Sequence, residues 1–274
     1  GNSTRKLMLK DLIKTGFIYL DTHEVLKIVG DIEKVEALLQ GQVTSDVSEL
    51  PNNGSQISCL LDQKGFIQAD FILLRLEDEI LVVIKKSLSK NFINQLEQFT
   101  QFYKVEIKLT NYLAKGFVNK DKSYKGKCSA YYKYDEYFLH MEVCKEPDKE
   151  EISNLSQLEW KVANKILLNY LFDIDDINKY RPNELNYDKT RVSFDKGCFR
   201  GQEIVARVHY LGVNRREFVS AIIPIDKAID SKLKIQGETL EFLKHKIFNT
   251  HIKRDEIENK EYNSINLIRY LDSN

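Results

Sequence analysis

Long apolar runs are missing from this chain of 274 residues. The longest is about five residues, Ile80 to Ile84, whereas a helix that crosses a bilayer needs roughly 20. A helical membrane span is thereby excluded. The opening Gly-Asn-Ser-Thr-Arg-Lys leads into alternating charged and apolar residues, without the apolar core of a secretory signal. Cysteine is scarce. Cys59, Cys128, Cys144 and Cys198 make no close pair and no CxxC, so a disulfide framework and a zinc ribbon are both unsupported. Reduced thiols and a cytoplasmic location are the expectation. Net charge is absent too: 41 Lys+Arg balance 41 Asp+Glu, which removes the strongly basic footprint of a dedicated nucleic-acid binder. The histidines form no HxxxH or HExxH pair, and no GxxxxGK[ST], GxGxxG or GxSxG occurs. A zinc-protease site, a nucleotide-hydrolysing loop, a Rossmann cofactor and a serine nucleophile elbow therefore lack support.

What is present is a folded, aromatic-rich chain, 42% hydrophobic and 11% aromatic, long enough for one large domain or two modest ones. Short strands are predicted at Phe17–Leu20 and Val25–Val29. Asp31 is placed to cap a helix from Ile32 to about Gln40 that Gly41 stops. Gln56–Leu61 and Phe66–Leu76 flank an Asp-Gln-Lys-Gly turn, as in a hairpin. Ile80–Lys85, a helix over Ser89–Phe99 and a strand at Lys104–Leu109 follow. Ala130–Tyr134 and Tyr137–Val143 read as a second hairpin. Ser156 and Glu159 form a capping box ahead of a helix to about Leu171. Asp173 to Pro182 reads as a loop, Arg191–Phe194 as a short strand and Gly201–Tyr210 as a helix. The class is α+β. Residues 1–211 are expected to form one region and 212–274 a small β-rich module. A module of that size has a marginal core and should lean on the rest.

The segment from Asp195 to Arg207, DKGCFRGQEIVAR, concentrates the chemistry. Gly197 and Gly201 permit close backbone approach around Cys198. The thiol precedes a helix start, and Lys196 and Arg200 stand two residues to either side. Each influence favours a thiolate. From Lys189 to Arg216, seven basic residues face two acidic ones, a local excess of +5 in a neutral protein. An anionic ligand would be attracted there, although runs of charge are more often solvated surface. Cys59 and Cys144 read as small core residues, and Cys128 as an exposed turn residue.

These residues carry a resemblance. Lys196-Gly197-Cys198-Phe199-Arg200-Gly201-Gln202-Glu203 is similar to the K-G-C-[FY]-x-G-Q-E signature of YgfZ-type folate-binding proteins. Leu39 to Val47, LQGQVTSDV, and Pro182 to Asn186, PNELN, resemble two further blocks of that family in the same order. The family is related to the aminomethyltransferase (T-protein) of the glycine cleavage system. The resemblance implies a T-protein-like fold of mixed sheets and helices around a central channel, ending in a small barrel-like module. It implies tetrahydrofolate binding and a part in iron–sulfur cluster assembly or repair. The partners implied are iron–sulfur proteins such as a radical tRNA methylthiolase; a weak contact with tRNA is a further option. Cys198 would be the reactive thiol, with Lys196 beside it. Glu184, Gly197, Gly201, Glu203 and Arg207 would serve the folate. The alternative is a folate-dependent one-carbon transferase. Against it, Gln68 and Ala69 fill the positions of the T-protein's catalytic acid, and Asp70 falls one residue late. Lys165 to Asn169, KILLN, also replaces the family's R-I-x-x-G.

Overall fold

The computed structural model describes residues 9–120, 132–148, 150–212 and 215–272. Cys128 and the start of the second hairpin lie outside these residues. Three antiparallel sheets organise the chain. The five-stranded sheet has the order β3 (Gly54–Leu61), β4 (Ile67–Leu76), β5 (Glu79–Lys85), β2 (His23–Val29) and β6 (Glu106–Leu109). A four-stranded sheet runs β1 (Gly16–Tyr19), β7 (Leu113–Asn119), β9 (Tyr137–Cys144) and β8 (Tyr132–Tyr134). The last sheet runs β11 (Ile235–Phe242), β12 (His245–Lys253), β10 (Arg216–Pro224) and β13 (Asn266–Arg269). It is an open sheet among the described strands. The α+β expectation therefore holds.

The local chemistry explains most element ends. Asp31 caps α1 (Ile32–Gln42) by accepting from the Glu33 N–H. The helix runs through Gly41 and ends one residue later, with Val43 as its C-cap. No neighbour lies within contact of a Cβ at Gly41, so the glycine is not needed as a stop. The capping box of Ser156 and Glu159 is fully formed at the head of α3 (Gln157–Ile166). That helix ends earlier than its apolar run, because Leu168 adopts φ +65°. The strand expected at Arg191–Phe194 is absent; the segment is irregular. The reason is a contact distant in sequence: the Thr44 hydroxyl donates to the Arg191 carbonyl, and Thr44's own carbonyl accepts from the Ser193 N–H, so a loop supplies what a strand partner would.

Burial ties the last sheet to the body. Side chains alternate along a strand. Phe218 and Ile222 of β10 join the main core with Leu240, Ile247 and Ile268, while Val219, Ala221 and Ile223 build a smaller core with Phe248 on the other face. Each large apolar side chain so buried contributes about 1.5–3 kcal/mol. Trp160, 1% exposed, packs against Gly116 of β7, where a Cβ would meet the indole at 2.7 Å.

One buried ion pair joins β4 to the chain that follows α3. Asp70 accepts from Arg191 Nε at 3.0 Å and from the Tyr187 hydroxyl at 2.6 Å, and Arg191 also donates to Asn169. The Arg191 side chain is 4% exposed. Replacing Asp70 by Ala strands that guanidinium in the core, and loss of one partner of a buried pair typically costs about 3–5 kcal/mol. Denaturant unfolding of D70A is expected to show a loss of that order; a loss below about 1 kcal/mol would contradict a buried, mutually dependent pair.

Candidate functional site

The signature loop follows the short α4 (Tyr187–Thr190), leads into α5 (Gln202–Leu211) and is pinned at three points. The first is Lys196. Its ammonium donates to the carbonyls of Val43 and Ser45, each at 2.7 Å, and to Gln40 Oε1 at 3.3 Å, so all three protons are used. Burial holds its pKa down to about 8, with Asp46 opposing that shift. The second is Arg200. Its N–H donates to the Gly41 carbonyl, and its guanidinium donates to the Gln95 side chain and carbonyl, both at 2.9 Å. Gln95 lies in α2 (Lys86–Tyr103). The third is Gly201, the N-cap of α5, at φ +80°, with the Asp62 carbonyl 2.6 Å from where a Cβ would stand.

These contacts explain why two separate sequence blocks travel together. The 39–47 segment supplies the carbonyls that Lys196 needs. Within it, Gln40 donates to Asp46 Oδ1, and Gln40 Oε1 accepts from the Val47 N–H. Sequence spacing placed both flanking cations beside the sulfur. In the structure their hydrogen bonds are spent on scaffold atoms instead, because a half-buried ammonium or guanidinium, partly cut off from water, must find acceptors within the protein. Gly197 has open space at its Cβ position and no positive φ.

Cys198 carries a free, exposed thiol at the wall of an open cleft of about 890 Å³. Gln42, Asp62, Asn94, Gln98, Phe99 and Arg200 are among the residues around it. Cys59 is the contrast: fully buried in β3, its thiol is pushed up to about 12 by desolvation. Glu203 and Arg207 do not reach the cleft. They pair with each other at 3.0 Å on the exposed face of α5. Glu184 sits in a short 3-10 turn and accepts from the Arg181 N–H. Its carbonyl accepts from Gln236 on β11. Of the local +5 excess, Lys189, Arg191, Lys196, Arg200, Arg207 and Arg216 all have partners inside the fold.

A second cavity, about 560 Å³, lies between the five-stranded sheet, α3 and the last sheet. Lys85, Lys161, Lys165, Tyr170, Asp176 and Asn249 contribute to its wall, and it shares no lining residue with the cleft at Cys198. Most of its charges are matched: Lys85 with Asp173 at 3.1 Å and Lys161 with Glu238 at 2.6 Å, while Asp176 accepts from the Tyr170 hydroxyl. Lys165 differs. It is 8% exposed and forms no ion pair among the described residues. Its ammonium donates to Asn249 Oδ1 at 3.2 Å and stands 5.9 Å from the Tyr170 ring centroid. Burial lowers its pKa to about 8. Sequence reasoning met Lys165 only as a departure from a family block. Its signal was a lysine amid the buried residues Trp160, Val162, Ala163 and Ile166 of one short helix.

The two signature glycines make a discriminating pair. Gly201→Ala is expected to lower stability by about 1–3 kcal/mol, through a strained φ and a clash with the Asp62 carbonyl. Gly197→Ala should stay within about 0.5 kcal/mol. Thermal melts of the two variants check this, and equal losses would contradict it.

No protein-family model matches the chain. Among curated proteins, an uncharacterized protein of Haemophilus influenzae is 28% identical over 228 residues, covering 81% of this chain and 79% of that one. The tRNA-modifying protein YgfZ of Vibrio atlanticus is 26% identical, covering 78% and 71%. The same-named protein of Photobacterium profundum is 26% identical, covering 75% and 69%. Among solved structures, the glycine cleavage system aminomethyltransferase T of Bartonella henselae superposes with a TM-score of 0.61 at 13% identity, over 90% of this chain and 81% of that one. The chain is thus a relative of the YgfZ tRNA-modifying proteins along most of its length, built on the fold of the glycine cleavage aminomethyltransferase.

Proposed function

We propose that this protein binds tetrahydrofolate and serves as an accessory to iron–sulfur cluster assembly or repair in support of tRNA methylthiolation. The observation that carries the reading is the inner cavity with its unpaired Lys165. Its 560 Å³ falls within the usual range for small-molecule sites, roughly 300–1,000 Å³. The donor set fits the cofactor. Reduced folate has a pterin rich in N–H donors at one end and carboxylates at the other. The cavity offers the carboxylates of Asp173 and Asp176, the face of Tyr170 and a buried ammonium with unused protons. Lys165 would hold a folate carboxylate, and Asp173 and Asp176 would accept from the pterin. When bound, tetrahydrofolate supplies nitrogens able to carry a one-carbon unit. Gln236, held by the Glu184 carbonyl, keeps β11 in place along the cavity wall.

The transferase alternative needs a free carboxylate beside the folate. Asp70 is instead committed to Arg191 and Tyr187, and the space at its side is about 40 Å³, room for little more than ordered water. Cys198, exposed at the separate outer cleft, is accessible to a protein partner and is the proposed reactive thiol.

Calorimetric titration with tetrahydrofolate tests the cavity. The wild type should bind, and Lys165→Met should weaken binding roughly 10- to 100-fold, the value of a charge-assisted hydrogen bond. Unchanged affinity would remove the cavity as the site. The pH response has a defined sign. Lys165 loses its proton near 8 rather than near 10.5, so affinity should fall as pH rises through about 8. Cys198→Ala should retain folate affinity yet fail to restore tRNA methylthiolation in a deletion strain; full restoration would refute an essential thiol.

A further inference from the structure

A third opening is used by neither the thiol nor the folate reading. It is an open groove of about 620 Å³, lined from the 45–57 stretch, the 189–195 segment and the end of α5. Part of its wall is aromatic. Phe194 and His209 stack face to face, with ring centres 3.8 Å and planes 13° apart. Tyr210 stands edge-on to both, at 6.1 and 4.7 Å. These neighbours fix the Tyr210 ring, yet the residue is 65% exposed. An aromatic ring held in place and open to water suits the stacking of a planar base.

The groove is also cationic. Lys189 of α4 lines it. Lys189 and Arg216 of β10 both act on His251 of β12, where burial and then these two charges hold the imidazole pKa down to about 4. Three elements thus bring this positive charge together. Neither cation forms an ion pair among the described residues. Lys189 lies 4.9 Å from the centre of the Tyr270 ring, and Arg216 donates to the His251 carbonyl at 3.1 Å. Glu217, next in the chain, is taken up by Arg254 and Arg269. Both charges therefore stand uncancelled.

Acids share the groove. Asp46 is engaged by Gln40 and Ser48, whereas Glu49 and Asp195 are exposed and their carboxylates accept from nothing among the described residues. A plain anion site would not carry those two carboxylates, and an apolar partner would not call for the charges. A nucleotide calls for all three chemistries: a ring for the base face, a cation for the phosphate and an acceptor for the amino groups of the base edge. A double helix hides its base faces, so the partner must be unpaired.

We propose that this groove binds an unpaired segment of RNA, stacking a base on Tyr210 and setting phosphates against Lys189 and Arg216. This rests on the reading that the protein serves tRNA methylthiolation and adds that it touches RNA itself. Glu49 and Asp195 accept from base amino groups and repel phosphate, which turns the backbone toward Lys189. The chain is neutral overall, so the contact is local rather than spread over the surface.

Fluorescence anisotropy with two labelled RNAs, a stem with an unpaired seven-nucleotide loop and a blunt duplex of equal length, tests this in about 50 mM salt. The wild type is expected to bind the stem–loop at least about 10-fold more tightly than the duplex. Tyr210→Ala should lose roughly 10-fold on the stem–loop, the worth of one stacked base, and little on the duplex. Lys189→Gln/Arg216→Gln should also weaken binding and lower the salt slope by about 1.4, two phosphates' share on a single strand. The control Lys34→Gln/Lys90→Gln removes the same charge outside the groove and should stay within about 2-fold. All five residues are exposed, so the variants should keep the fold, which thermal melts check. Equal affinity for the two RNAs, no loss in Tyr210→Ala, or an equal loss in the control would overturn the proposal. Calorimetric titration with tetrahydrofolate keeps the two readings apart. Folate binding without RNA binding removes the groove alone, and RNA ratios as expected without folate binding remove the cavity alone.

Discussion

Withdrawing an ammonium group from water is costly unless its protons find acceptors. Lys196 and Lys165 are both drawn down to about 8 by desolvation, yet their surroundings differ. Lys196 has three oxygen acceptors, two of them backbone carbonyls, and is internally complete. It is a clamp. Lys165 has one side-chain acceptor and an aromatic face, at the wall of a cavity. The same physical demand thus produces a scaffold contact in one place and leaves a ligand-sized opening in the other.

The clamp organises the outer site. By tying the signature loop to Val43 and Ser45, Lys196 fixes the loop against the end of α1, while Arg200 fixes it against α2 through Gln95. Gln95 continues inward, donating to Gln68 Oε1, so a chain of amides links the signature loop to β4. Asp70, two residues on, is locked by Arg191 and Tyr187. These polar groups hold separate elements of the chain together. The sulfur is left at the surface, apart from the inner cavity.

Much of this was legible in the sequence. The elements whose ends are chemically marked, the Asp31 cap, the Ser156–Glu159 capping box and the 56–76 hairpin, read correctly because their signals are local. The Arg191–Phe194 strand misread because the groups that satisfy that backbone come from Thr44, about 150 residues earlier in the chain, which no local pattern reveals. The same limit applies to the site. Cys198 and Gly201 stand out in the motif, but the direction in which Lys196 and Arg200 turn depends on carbonyls supplied by α1 and α2. Glu203 and Arg207 share the motif's spacing and still end paired on an exposed helix face. The inner cavity escaped sequence reading altogether, since its wall is assembled from β5, α3, the 170–179 loop, β11 and β12.

The account rests on the inner cavity, with Lys165 at its wall, being where the folate goes. Hydrogen–deuterium exchange with and without saturating tetrahydrofolate tests this most directly. Slowed exchange confined to segments 161–179 and 235–249, with residues 196–203 unchanged, is the predicted result. Protection centred on 196–203, with 161–179 unaffected, would contradict it.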